Sequence, residues 1–367
     1  MVGYMNKVNV KESSMVTPFF VFFLVHSSQT GVGVLGYQRE LIQGAGHDAW
    51  QSILITGISI HIVIMMMYSV LTYSEDGDLI SINNKLFGGR VGYILSSLFI
   101  GYMIVSAIIV IRAYIEILQV WIFPMVRTWE FALLMLIVIY YIVSGGFRAV
   151  TGMSFWSVII PSFLIITVFF LVRYLAWNNF LPVFNHSIFE VLQSAKASTF
   201  MYLGFEPLFL YYPFIKNKEK SIKWAHLATL TTTVIYLVLT IISFGYFTQG
   251  QIKHTIWATL ILTKVFELPF VERIEYIIIF IWFFIILPPI CCAIWGSTRG
   301  IKRLFNVKPK VSLICICIVI FVFAIFVDTR IKIEELSNFI SNIGFYILYG
   351  YIPFLYVTMR IKRIFQK

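Results

Sequence analysis

The chain has 367 residues, of which 59% are hydrophobic and only 12% charged, and its mean hydropathy is +0.87. Soluble domains carry roughly a quarter charged residues, so the composition excludes a soluble globular protein and indicates an integral membrane protein. The net charge of +11 does not point to nucleic acid, because the basic residues lie in loops between apolar spans, as cytoplasmic-side orientation signals do.

After a polar tail (1–14) without a cleavable signal, the predicted spans are 15–43, 49–72, 91–122, 129–144, 154–175, 189–214, 222–247, 271–304, 311–327 and 337–359, followed by a tail at 360–367. A span needs about 20 apolar residues; the third and eighth exceed that and must tilt or protrude. With both termini in the cytoplasm, inside segments hold 18 Lys and Arg against 9 outside, which fits the positive-inside rule.

The first span is interrupted at 30–36 (TGVGVLG) and the sixth at 203–207 (LGFEP). Interrupted backbone survives within lipid only where it lines a cavity or packs in protein. Shifting the first half forward by about 173 residues lays break on break, span 2 on span 7 and long span 3 on long span 8. Five spans is an odd number, so the second copy enters the membrane reversed. The expected fold is therefore all-α with ten transmembrane helices in a 5+5 inverted repeat, 15–175 and 189–359, with broken helices 1 and 6 and a small-solute site at the midplane.

The candidate site follows from polar and small residues at that depth. Gly31 and Gly33 allow backbone to approach a ligand, free N–H groups there suit a carboxylate, and Thr30 adds a hydroxyl. In the second break Gly204 and Pro207 bracket Glu206, and proline leaves the carbonyl of Leu203 available. A carboxylate at the bilayer centre costs about 2.5–3.5 kcal/mol, so Glu206 must face a polar interior, as ligand contact, proton carrier or partner of an arginine. Arg112 and Glu116, four apart on one helical face, form an internal ion pair or open toward the cavity as a gate. Ser106 and Ala107 leave space opposite the breaks, and Pro288-Pro289 kinks span 8 beside the same cavity. His61 reads as a packed, hydrogen-bonded residue. Trp257, Leu260, Ile261, Val265 and Leu268 have the spacing of an amphipathic lid on the extracellular face. The four cysteines (Cys291, Cys292, Cys315, Cys317) are too close in sequence to converge on a metal and read as apolar fillers; no metal or cofactor is expected.

Several segments also carry a family resemblance: TGVGVLGYQRE at 30–40, RAYIE at 112–116, YIVSGGFRAV at 141–150, LGFEPLFLYYPFIKNKEK at 203–220, WATLILTKVFELPFVERIEYIIIFIWF at 257–283 and GIKRLF at 300–305. The chain resembles, over essentially its whole length, the B subunit of GerA-type spore germinant receptors, the endospore germination permeases of the amino acid–polyamine–organocation superfamily. The resemblance implies a LeuT-type fold in the inner membrane of the endospore, assembled with an A subunit and a lipoprotein C subunit, and recognition of an amino acid, nucleoside or sugar. Gly31, the run Leu203, Gly204 and Glu206, and the pair Arg112 and Glu116 match its motifs. Tyr37-Gln38-Arg39 stands where relatives often place a proline before the arginine, and the apolar run 285–289 where some carry hydroxyls, which leaves the ligand open. A proton-coupled amino acid transporter working through Glu206 is the alternative. No HExxH, paired intramembrane aspartates or Ser/His dyad suggests an enzyme.

Overall fold

A computed structural model describes residues 10–164, 170–265 and 273–365. All regular elements among them are helical, and seven helices are long and apolar enough to cross a membrane. An interrupted helix fails that length test by its nature. Helix α1 (Phe20–Ser28) and α2 (Gln38–Ala45) flank the first interruption, joined by a 3-10 turn at Val32–Leu35. Helix α3 (Trp50–Leu71) matches its expected span, and α4 (Leu79–Phe87) is a short helix the hydropathy pattern did not suggest, started by Asp78 accepting from the Ser81 N–H at 2.9 Å. Helices α5 (Gly89–Trp121) and α6 (Thr128–Ser144) follow as expected.

The fifth span begins earlier than hydropathy placed it, with α7 at Phe147–Ile159 and a 3-10 turn at Ile160–Leu164. Its start is set by Gly146, whose φ of 85° is open to glycine. That position precedes the most apolar residues, so a hydropathy window finds the span late. Helix α8 (Ile188–Tyr202) begins with a Ser187–Glu190 capping box, which ties down exposed N–H groups. Beyond the second interruption come α9 (Leu208–Tyr211), α10 (Ile222–Tyr246), α11 (Gln249–His254), α12 (Ala258–Leu262), α13 (Ile274–Phe305), α14 (Pro309–Phe326), α15 (Arg330–Tyr346) and α16 (Ile352–Phe365). A π-helical turn at Ile347–Tyr351 joins the last two, so the final helix extends well past its expected limits at both ends.

Helices at equivalent places in the two halves pack on each other: α3 on α10, α5 on α13 and α6 on α14. Helix α13 is the central rod, buried along most of its length, whereas α6 and α14 turn Leu134, Ile137, Ile318 and Phe323 outward. Pro288 and Pro289 both lie inside continuous α13. The chain before α1 is stitched to the segment after the second interruption: Val16 N–H donates to Phe214 O at 2.9 Å, and Lys216 N–H to Val16 O at 2.8 Å. This end is called the strap end below.

The expected surface lid takes another form. Instead of one helix lying flat, the connection from α10 to α13 folds into α11, α12 and a 3-10 turn at Thr263–Val265. Leu260 is fully buried, and Thr259 Oγ1 donates to Val34 O at 2.8 Å while accepting from Gln38 Nε2 at 2.6 Å. Leu268 lies outside the described residues. The reason is polar: the backbone freed at the first break is reached by the threonine of this connection, which a helix on the surface would leave unmatched.

The α3–α10 contact is set by a glycine. A Cβ on Gly57 would lie 2.6 Å from Thr233 Oγ1, so Gly57→Val should destabilise the protein by about 1–3 kcal/mol through overpacking. A detergent-solubilised thermal melt that is unchanged would contradict this packing.

Candidate functional site

Both interruptions face one another in the centre of the bundle. Gly204 adopts a φ of 112°, and a Cβ there would sit 2.4 Å from Ser28 O. Glycine is required twice, by conformation and by contact. Beside this contact lies a cavity of about 100 Å³. Gly31, Val32 and Gly33 line it from the first break, and Leu203, Gly204, Glu206 and Pro207 from the second. Helix α5 contributes Tyr102, Met103, Ser106 and Ala107, and α13 contributes Pro289 and Ala293.

The polar groups of the two breaks differ in what they have left to offer. Thr30, Gly31 and Val32 have N–H groups without an acceptor among the described residues. Their neighbouring carbonyls are engaged: Gln29 O accepts from Tyr236 OH at 2.9 Å, and Gly31 O from Trp282 Nε1 at 3.4 Å. At the second break Glu206 is buried, and its carboxylate accepts from Gly204 N–H at 2.7 Å and from Tyr102 OH at 3.0 Å. Glu206 therefore closes the turn of its own break and holds Tyr102, and it pairs with no arginine. The first break offers donors, and the second is largely self-satisfied.

A second cavity of about 240 Å³ adjoins the first, sharing Val32, Gly33, Ile109, Phe200 and Met201. The Phe200 ring packs on Gly33, where a Cβ would touch it at 3.4 Å, and so divides the two spaces. The outer space is ionic. Arg330 pairs with Glu116 at 2.8 Å and Glu334 at 3.8 Å, and Arg39 with Glu334 at 3.5 Å and Glu40 at 3.8 Å. These pairs join α2, α5 and α15.

Of the residues expected from the sequence, Gly31, Gly33, Ser106, Leu203, Gly204 and Glu206 border the central cavity. Thr30 does not: its hydroxyl donates back to His26 O at 3.0 Å, the usual local partner for a threonine ending a helix. Pro288 does not either; its neighbour Pro289 takes that place, because consecutive residues on a helix point about 100° apart. Arg112 and Glu116 do not form the expected mutual pair. Arg112 donates instead to the carbonyls of Val327 and Asp328 at the end of α14, where a helix C-terminus leaves acceptors unfilled, and Glu116 turns to Arg330. Tyr102, Gln29, Phe200 and Tyr236 also border the cavity and were missed in the sequence. Tyr102 had a signal: it stands one helical turn before Ser106, on the same face.

Removing the Tyr102 hydroxyl leaves the Glu206 carboxylate with one donor fewer in a buried place. Tyr102→Phe should therefore lower stability by about 1–3 kcal/mol, read as a reduced melting temperature in detergent. No reduction would mean that this bond contributes nothing to the break.

The family model described as "Spore germination protein" matches residues 15–333. The chain is 40% identical over 347 residues to spore germination protein GerQB of Bacillus cereus, covering 95% of this chain and 96% of that one. It is 24% identical over 351 residues to spore germination protein A2 of Bacillus subtilis (strain 168), covering 93% and 94%. With spore germination protein B2 of the same strain, identity is 23% over 306 residues and 82% of each chain.

Proposed function

The chain belongs to the spore germination protein family, and from that premise we propose that it is the nutrient-recognition subunit of a germinant receptor. In this reading it has ten membrane spans in a LeuT-type 5+5 inverted repeat, 15–175 and 189–359. The packing of α3 on α10, α5 on α13 and α6 on α14 supports that symmetry. Both termini lie on the cytoplasmic, core side of the spore's inner membrane, which puts the strap end inside and the ionic cavity outside. The partners are a receptor A subunit and a lipoprotein C subunit.

The observation that carries the reading is the pair of Gly31 and Val32 N–H groups, without an acceptor among the described residues, on residues that line a cavity between two helix interruptions. Such groups suit a carboxylate or another compact acceptor, and the cavity suits a small solute, an amino acid ahead of a nucleoside or sugar. The solute enters through the ionic space, displaces the Phe200–Gly33 contact and settles between the breaks. Binding one conformation better than the other biases the subunit, and the bias passes to its partners.

Gly31 provides the sharpest test. Its φ is −78°, which any residue adopts, and a Cβ there would meet nothing within 4 Å. Gly31→Trp should fill the cavity without disturbing the fold and abolish the germination response at normal protein levels; an intact response would exclude the central cavity as the recognition site. Gly204→Trp is a poor companion, because its backbone strain and the clash with Ser28 would unfold the break itself.

The buried carboxylate of Glu206 favours a second reading, a proton-coupled amino acid transporter. Purified protein in proteoliposomes should show no proton-driven accumulation of radiolabelled amino acid. Robust uptake by the chain alone would replace the receptor reading with the transporter one.

A further inference from the structure

His61 on α3 and His226 on α10 meet with their Nδ1 atoms 2.8 Å apart and their ring centroids 5.0 Å apart. In the neutral pair one Nδ1 donates and the other accepts. Each ring then has one nitrogen left, so the remaining edges carry one N–H donor and one bare acceptor. Neither Nε2 has a hydrogen-bond partner among the described residues, and neither is a buried orphan, so both reach the surface. Both rings are half-buried, recessed between residues that stand further out: Ile58 and Met65 beside His61, and Leu230 beside His226.

Both helices are long and apolar enough to span a membrane. The Tyr68–Ser221 hydrogen bond marks the strap end of this seam, and the imidazoles lie about 8–10 Å beyond it at 1.5 Å per residue. Where such a seam faces hydrocarbon, lipid supplies neither donor nor acceptor, and an unmatched polar group there carries a large free-energy cost.

We infer that the α3–α10 seam seats a transmembrane helix of another receptor subunit, whose side chain both donates and accepts, an amide or a hydroxyl, and reaches in to the two imidazoles. This rests on the receptor reading above, since a lone transporter needs no such neighbour. Acyl chains cannot meet the requirement. A second copy of this chain is a poor fit, because its own recessed rings would be held away by Ile58, Met65 and Leu230 on both sides. A long polar side chain projecting from a single helix has the necessary reach.

The test places a photo-crosslinking amino acid at Ile58 or Leu230, with Leu134 on α6 and Phe323 on α14 as exposed controls, in membranes where the whole receptor is produced together. Adducts with a membrane-embedded partner subunit are expected at 58 and 230 and not at 134 and 323. Combining His61→Leu with His226→Leu should cut their yield roughly tenfold, as for the loss of one or two hydrogen bonds. Adducts with lipid alone, with a second copy, or equally at the controls would overturn the inference. The crosslink at unsubstituted histidines does not depend on how the double variant folds, and none of these readouts uses nutrient. An adduct in a receptor that ignores nutrient would remove the recognition reading alone, and a responsive receptor without adducts would remove the interface alone.

Discussion

Inside a bilayer every main-chain polar group must find a partner within the protein or face a cavity it encloses, and the 2.7 Å bond from Gly204 N–H to Glu206 is where this fold meets that demand most directly. Helix α8 stops at Tyr202, so the ladder of i to i−4 bonds ends there, and the carboxylate two residues beyond Gly204 takes the role of the missing carbonyl. The same carboxylate anchors Tyr102, which fixes one wall of the cavity. Because the turn is closed locally, Gly204 can be brought against Ser28 and the two interruptions can share a centre. Glu206 is thus a structural element first, and the chemical opportunity lies across from it, in first-break N–H groups that have no acceptor among the described residues.

The first interruption is satisfied from another direction. His26, Gln29, Tyr37 and Gln38 form a polar seam against Thr232, Thr229, Thr240 and Ser243 of α10. The hydroxyls are spaced by three, eight and three residues, so they share one face of that helix. Two of them, Thr232 and Ser243, also donate to a carbonyl one turn back in their own helix, which satisfies them without water. A seam of hydroxyls holds α1 and α2 to α10 on both sides of the gap, leaving the gap itself free to face the cavity. Long unbroken α5 and α13 then close the remaining sides with small residues.

Much of this was legible from the chain. Apolar length gave most helices, and glycine marked both gaps, although only Gly204, at a φ of 112°, holds a conformation that other residues rarely adopt. What stayed hidden was direction and distance. Arg112 and Glu116 are correctly spaced for each other, yet each finds a stronger partner on another helix: Arg112 the carbonyls ending α14, and Glu116 the guanidinium of Arg330. Hydropathy cannot show that a helix terminus will arrive nearby. Pro288 and Pro289 are one position apart, and periodicity alone does not say which faces inward. The connection after α10 has amphipathic spacing, but a vacancy beside Val34 and Gln38 draws Thr259 inward, and that vacancy exists only once the first helix has broken.

The stitch between Val16 and the segment around Ile215 is made wholly of main-chain atoms. Those two bonds ask of positions 16 and 216 only that neither be proline; the buried side chains of Val16, Phe214 and Ile215 and the Lys216–Glu12 ion pair are what restrict the residues there. The bonds themselves leave no mark in side-chain identity, although they tie the leading tail mechanically to the segment beyond the gap that borders the cavity.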